Sequence, residues 1–252
     1  MRSILAAIVA LSTLGISSAA EKVLLPIHVR EVPGAFGSVW TSFLSVTNHS
    51  TQPIVIFGLT PCELAPCLPE PVPGGSSFSP CEFRSFAEAE ADDISDVSFL
   101  LRVQDLSRQS ETWGTVIPTV RERNATLSPG RLELLDVPVS NSFRAMLRVY
   151  SFLPGVEAFV RLRAYAPASS SCLPTQGADA LIHDSVQTLK VSADAPLEEP
   201  PILSLALATI SEIEAYERVR IEVEPITTDV GFWAFVSVTN NETQHMTAII
   251  PQ

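Results

Sequence analysis

Basic side chains are scarce in this 252-residue chain: 16 Lys and Arg stand against 28 Asp and Glu, a formal net charge of −12. The deficit argues against nucleic acid or an anionic membrane surface as partner, since both are bound through a basic footprint that releases counterions. Histidine is scarcer still. His28, His49, His183 and His245 lie far apart, with no HExxH or HxH spacing to hold a catalytic metal. No Gly-x-Ser-x-Gly elbow presents a nucleophilic serine, and Gly74-Gly75 lacks the Lys and helix pattern of a phosphate-binding loop. His183-Asp184 is the one His next to an acid, but neighbours on a strand point to opposite faces, so the pair makes no relay by itself. With three Trp and three Tyr, the sugar-stacking groove of a carboxylate-dependent hydrolase would be hard to furnish. These absences set the expectation that the protein is not an enzyme and carries no cofactor or metal.

Long apolar runs are missing too. The longest internal one, Ile202 to Ile210, has nine residues, where a membrane-spanning helix needs roughly 18. Ile4 to Leu14, behind the single charge of Arg2, has the length and flank of a signal-peptide core, and Ser18 and Ala20 satisfy the small-residue cleavage pattern. Residues 1–20 are therefore expected to be a signal peptide, with an uncleaved anchor as the alternative. Removing them, Arg2 included, leaves 232 residues with 15 basic and 28 acidic side chains, a net charge of about −13. A secreted or periplasmic location follows, without a transmembrane segment in the mature chain. In such a compartment thiols tend to be oxidised, so Cys62, Cys67, Cys81 and Cys172 are all disulfide candidates, with three pairings open. No CxxC or neighbouring His favours zinc instead.

What is present is strand. Twenty prolines disfavour long helices, and segments rich in Val, Ile, Thr and Phe recur about every ten residues between turn residues. Strands are expected at Val23–His28, Trp40–Asn48, Ile54–Thr60, Val97–Leu106 and Thr112–Arg121. A second set is expected at Arg131–Val139, Arg144–Phe152, Val156–Tyr165, Ser185–Val191, Ile202–Thr209, Arg218–Ile226, Phe232–Thr239 and Met246–Ile250. The alternation is cleanest from Arg218 to Glu224, where Val219, Ile221 and Val223 take one face and every charge the other. Arg161 and Arg163 alternate in the same way with Val160 and Leu162, and read as a solvated sheet face.

Three stretches read as non-strand. Pro61–Pro80 holds many Pro and Gly with two Cys and suggests a disulfide-pinned loop. Phe86–Asp96 is rich in Ala and acids and suggests a short helix or acidic loop; Ser211–Tyr216 suggests one helical turn. Glu88, Glu90, Asp92, Asp93 and Asp96 offer hard oxygens for calcium, yet without the Asp-x-Asp-x-Asp-Gly spacing a solvated acidic loop is the weightier reading. Asn48-His49-Ser50, Asn124-Ala125-Thr126 and Asn241-Glu242-Thr243 match the glycosylation acceptor pattern, but the residue type also suits hairpin turns.

An internal duplication is visible when the two sets are overlaid. Ser42–Thr47 aligns with Ala145–Tyr150, Ala65–Pro69 with Ser170–Pro174, Leu24–Ile27 with Leu134–Val137, and Trp113 with Trp233. The expected fold is therefore all-β, with two tandem immunoglobulin-like β-sandwiches after the signal peptide, residues 21–125 and 126–252, joined near Arg123–Pro129. One larger sandwich is the alternative.

The segment Trp233–His245 (WAFVSVTNNETQH) resembles a signature of uncharacterised secreted bacterial proteins. Pro33–Ser38 with Trp40, Leu101–Arg108, Trp113–Thr115 and Phe143–Tyr150 carry the same likeness. The resemblance implies an exported immunoglobulin-like architecture and brings no activity, ligand or catalytic residue with it. A looser likeness is to periplasmic pilus chaperones, which implies strand donation and, at Arg121 or Arg123, a basic anchor between domains. The leading functional expectation is a non-catalytic extracytoplasmic module binding a protein or glycan partner. A chaperone-like assembly factor acting by strand addition and a hydrolase with a carboxylate pair are the alternatives.

Overall fold

The computed structural model describes residues 20–60, 71–108, 113–167, 179–191 and 199–252. Residues 1–19, with most of the expected signal peptide, lie outside this set, as do Cys62, Cys67 and Cys172. The described residues are all-β apart from one five-residue helix and a few 3₁₀ turns. The first half of the chain contains β1 (Ala20–Leu24), β2 (Val32–Pro33), β3 (Val39–Asn48), β4 (Ile54–Val55), β5 (Phe57–Thr60), β6 (Pro71–Val72) and β7 (Ser77–Phe78). It continues with β8 (Glu82–Glu90), α1 (Ala91–Ser95), β9 (Val97–Asp105), β10 (Thr115–Ile117) and β11 (Val120–Arg121). The second half contains β12 (Leu132–Pro138), β13 (Phe143–Ser151), β14 (Ala158–Ala166), β15 (Ala180–Leu189), β16 (Ile202–Ala206), β17 (Arg218–Pro225), β18 (Phe232–Asn240) and β19 (Met246–Ile249).

All ladders among the described residues are antiparallel, and sheet membership changes between β11 and β12. Residues 20–121 supply the sheets β11-β1-β8-β5 and β10-β9-β3-β2, with β7 also on β3 and a small β4-β6 pair. Residues 132–249 supply β12-β17-β14-β15 and β16-β13-β18-β19. The same six-strand order occurs twice: β1-β8-β5 with β3-β9-β10, and β12-β17-β14 with β13-β18-β19. Strands that correspond keep their order along the chain. β1 and β3 match β12 and β13, as the overlay expects, but Trp113 and Trp233 do not correspond. Trp233 is on β18, the counterpart of β9, whereas Trp113 precedes β10.

Several boundaries differ from expectation. The Phe86–Asp96 stretch is a strand for half its length, because β8 runs to Glu90 and only Ala91–Ser95 is helical. Ala is a weak strand former, yet Ala87 and Ala89 alternate with Glu88 and pair with β1 at Val23 and Glu21, so pairing overrides propensity. Gly58, at φ 83°, makes this possible on the other side: a Cβ there would sit 2.1 Å from Phe86 O. The first strand ends at Leu24, short of His28, where Pro26 has no N–H for the ladder. Thr112–Arg121 resolves into β10 and β11, and β15 starts at Ala180, ahead of the expected Ser185. Ser211–Ile213 forms the expected turn, as a 3₁₀ helix.

The described residues form two apolar clusters. One holds Leu132, Leu147, Val160, Leu162, Ile221, Val223, Phe232 and Val236, all from the second half. The other holds first-half residues such as Val23, Leu44, Val46, Phe86 and Leu101, but also Tyr150, Phe152, Trp233, Phe235 and Met246. β18 therefore serves both: Phe232, Ala234 and Val236 join the second-half cluster, while Trp233 and Phe235 join the other. A strand buried on both faces loses the polar member of each alternating pair and reads as a continuous apolar run, as Phe232–Val236 does. Polar contacts seal the junction. The Tyr150 hydroxyl donates to Pro26 O, Thr115 Oγ1 donates to Met246 O at 2.5 Å, and Thr126 and Phe232 exchange backbone hydrogen bonds of 2.9 Å.

Candidate functional site

Two outer sheet faces present opposite chemistry. On the β12-β17-β14-β15 sheet, arginines and acids interleave across strands. Arg161 Nε and Nη2 donate to Asp184 at 2.7 and 2.9 Å, and Arg163 Nη1 donates to Glu222 at 2.5 Å and pairs with Glu224 at 2.9 Å. Arg220 lies 4.0 Å over the Tyr165 ring and pairs with Asp179 at 3.0 Å. Mutual hydrogen bonding lowers the Asp184 carboxyl below its usual range, chiefly through Arg161, and raises the guanidinium of Arg163 through Glu222. The face is self-compensated, as the alternation of Arg161 and Arg163 anticipates. One detail departs from it: Glu222 is buried, roofed by Arg163, Arg131 and Arg220. The more exposed Arg161–Asp184 pair is screened by solvent and contributes little.

The β10-β9-β3 sheet is different. Its inward residues Leu101 and Val103 join the core, so Leu100 and Arg102 point outward, and cross-strand pairing puts Arg102 between Phe43 on β3 and Val116 on β10. Phe43, Leu100 and Val116 are about half exposed, and Trp113 is 76% exposed. Arg102 stacks on the Trp113 ring at 5.0 Å; its Nε is buried without a hydrogen-bond partner, and it has no carboxylate partner among the described residues. Gly114, at φ 86°, lets Trp113 turn back over Arg102. Soluble proteins rarely leave several apolar side chains clustered on an open sheet face without a binding role.

The remaining expected residues fall as follows. Arg121 is a structural clamp, not a free anchor: it donates to Ile94 O at 2.8 Å and Val97 O at 3.0 Å and pairs with Glu21, as Arg123 does. Glu88 lies on β8, opposite Lys22 and Phe57. Glu88, Asp93 and Asp96 do not form a metal-holding group, and no such group of His, Cys, Asp or Glu occurs among the described residues. The Glu90 and Asp92 side chains lie outside the description. Asn48 is wholly buried. Its Nδ2 donates to Gln52 O and Val72 O at 2.8 and 2.9 Å, and its Oδ1 accepts from Ser50 N, so it works as a turn-maker. Asn240 likewise accepts from the backbone of Glu242 and Thr243. Cys81, the one cysteine among the described residues, donates its backbone N–H to Thr60 O.

Sequence reasoning missed one polar grouping. His183 and Asp184 do face opposite ways, but His183 has other partners: Ser185 Oγ at 2.8 Å from Nε2, and Glu212 at 3.5 Å from Nδ1. The i, i+2 spacing of His183 and Ser185 was a readable signal; Glu212, 29 positions on, was not. Cavities of about 440 and 210 Å³ flank the Asp136–Arg218 ion pair at the β12 bulge, with Glu217 and Asp179 on their walls. No helix of the described residues is long and apolar enough to cross a membrane. No protein-family model matches the chain, and neither does any curated protein or solved structure.

Proposed function

We propose that the protein is an exported module of two tandem immunoglobulin-like sandwiches that binds a protein or glycan partner through the outer face of the β10-β9-β3 sheet. The observation that carries this is the exposed group of Phe43, Leu100, Val116 and Trp113 around an Arg102 with no carboxylate partner among the described residues. The outer face of the second half also exposes Phe159, Leu181 and Val186, but there the arginines are paired with acids. In support of the architecture, each half repeats a B-E-D and C-F-G strand order, with β1, β8, β5, β3, β9 and β10 in those places and β12, β17, β14, β13, β18 and β19 in theirs. Export rests on the Ile4–Leu14 segment, and a disulfide at Cys81 belongs to the same reading.

The test is affinity capture from cell-surface extracts, comparing wild type with Trp113→Ala and Phe43→Ser. A central Trp typically contributes 2 kcal/mol or more, so capture should weaken at least ~30-fold for Trp113→Ala. Equal retention by wild type and both variants would dispose of the docking face.

Strand addition is a second reading, and the observation that favours it is β15, ten residues long at a sheet edge with Leu181 and Val186 exposed. Its bulge beside Tyr165, its outward Asp184 and its bridge from Lys190 to Ile202 blunt that edge. A carboxylate-pair hydrolase has less support, since Glu222, Glu224 and Glu133 are held by arginines.

A further inference from the structure

His183, Ser185 and Gln187 point the same way because side chains alternate along β15. Opposite them on β14 stand Ala164, Leu162 and Val160, which belong to the core, so the three polar groups lie on the inward rim of the sheet. The Ser211–Ile213 turn brings Glu212 to the same rim. Three polar contacts then follow one another along the rim. Gln187 Nε2 donates to Ser185 Oγ at 2.9 Å, Ser185 Oγ lies 2.8 Å from His183 Nε2, and His183 Nδ1 lies 3.5 Å from Glu212 Oε1. Since Ser185 Oγ accepts from Gln187, its own proton is free to go to His183, and an Nδ1 proton facing Glu212 leaves Nε2 as the acceptor. Glu212 is suited to this, because its own backbone N–H, the Ser211 hydroxyl and His183 hold its carboxyl below the usual range.

We propose that Ser185 is a nucleophile toward small carboxylic esters, with His183 as its base, Glu212 as the residue that positions His183, and Gln187 as the donor to the ester carbonyl oxygen. Ser185 Oγ forms the bond to the acyl carbon as its proton passes to His183 Nε2. The ester C–O bond breaks, and the departing alcohol takes that proton. Water then attacks the acyl-serine, gives a proton to Nε2, and the carboxylic acid leaves as Ser185 Oγ recovers the proton. Charge that develops on the carbonyl oxygen meets the Gln187 N–H. One side-chain donor stabilises an oxyanion less than a full backbone hole does. That limits the substrate to esters, whose alcohols leave more readily than amines. The His183 side chain is 14% exposed and Glu212 half exposed, so an ester would reach the rim from solvent. The inference is independent of the docking face, which lies on the other half of the chain.

The test uses the full chain and a fluorophosphonate probe, which traps serines made nucleophilic by a base, read by intact mass and peptide mapping. One adduct is expected, on Ser185. Ser185→Ala removes the adduct and His183→Asn slows it by about 10²-fold or more. Glu212→Gln slows labelling, and Glu212→Asp, which keeps the carboxylate, restores part of the rate. Gln187→Ala cuts hydrolysis of p-nitrophenyl acetate about tenfold or more. No adduct on the wild-type chain, or an adduct on a different residue, overturns the proposal, whatever the variants do.

Discussion

Replacing Phe235 by Ala tests whether the two halves share one core. Phe235 belongs to the second half by sequence, yet it is fully buried against the first, 6.4 Å from the Tyr150 ring at 7° and 5.2 Å from the Trp233 ring at 27°. Truncating a buried Phe costs about 3–5 kcal/mol once the cavity left behind is counted. For a unit of this size each kcal/mol lowers Tm by roughly 2–4 °C, so a fall of ~6–20 °C is expected in a calorimetric scan. The informative readout is where protection is lost. Hydrogen exchange should accelerate in β1, β3, β8 and β9 as well as in β13 and β18, because Val23, Val46 and Leu101 lie in the same cluster as Phe235. Leu147→Ala, on the other face of the same sheet, costs about 2–5 kcal/mol, and its first effect should fall on the second-half cluster. Two separate unfolding transitions, with the Phe235→Ala effect confined to residues 132–249, would refute the shared core.

Burial pushes the Tyr150 hydroxyl up to about 12, against a smaller pull downward from Arg148. A raised folded pKa means that the stabilisation is complete below the unfolded value of about 10 and is lost as pH climbs toward 12, about 3 kcal/mol in all. Tyr150→Phe should therefore flatten the alkaline limb of a urea-stability profile while costing about 1 kcal/mol at pH 7 from the lost bond to Pro26 O. A limb as steep as in wild type would contradict this. Asn48→Ala strands the Gln52 and Val72 carbonyls and the Ser50 N–H, and should lower urea stability by about 3 kcal/mol; a change under ~0.5 kcal/mol would show that water replaces the amide. Asp105 is held below the usual carboxylate range: burial raises it, but Ser107, the Val39 N–H and Arg108 outweigh burial. Its stabilisation is present above the unfolded value of about 3.9 and lost as pH falls through the lower folded value. Asp105→Asn should weaken the acid limb of unfolding, measured by circular dichroism between about pH 5 and 2.

The fold was most legible where one side of a strand is wet. From Arg218 to Glu224 the alternation places Val219, Ile221 and Val223 inward, and they are buried. It was least legible where a strand is buried on both sides or made of weak formers. Phe232–Val236 reads as strand but does not reveal that its odd members belong to another half, and Ala87-Glu88-Ala89 hides a strand behind a helical composition. Of the candidate surface, Phe43, Leu100 and Val116 were merely apolar residues within expected strands. Their exposure followed from which neighbours, Leu44, Leu101 and Ile117, the core took.

Composition, strand cadence and the order of segments are local properties, carried by side-chain volume, branching and alternation, so the chain itself determined that the fold is all-β and where most strands run. Which face of each strand is inside, that β18 fills two cores, that Arg102 lies over Trp113, and that Glu212 meets His183 are contacts between residues far apart in sequence. Pattern within a strand carries no information about what packs on it. Only the closing of the sheets decided these contacts, because burial is a property of the assembled layers and not of any one ribbon.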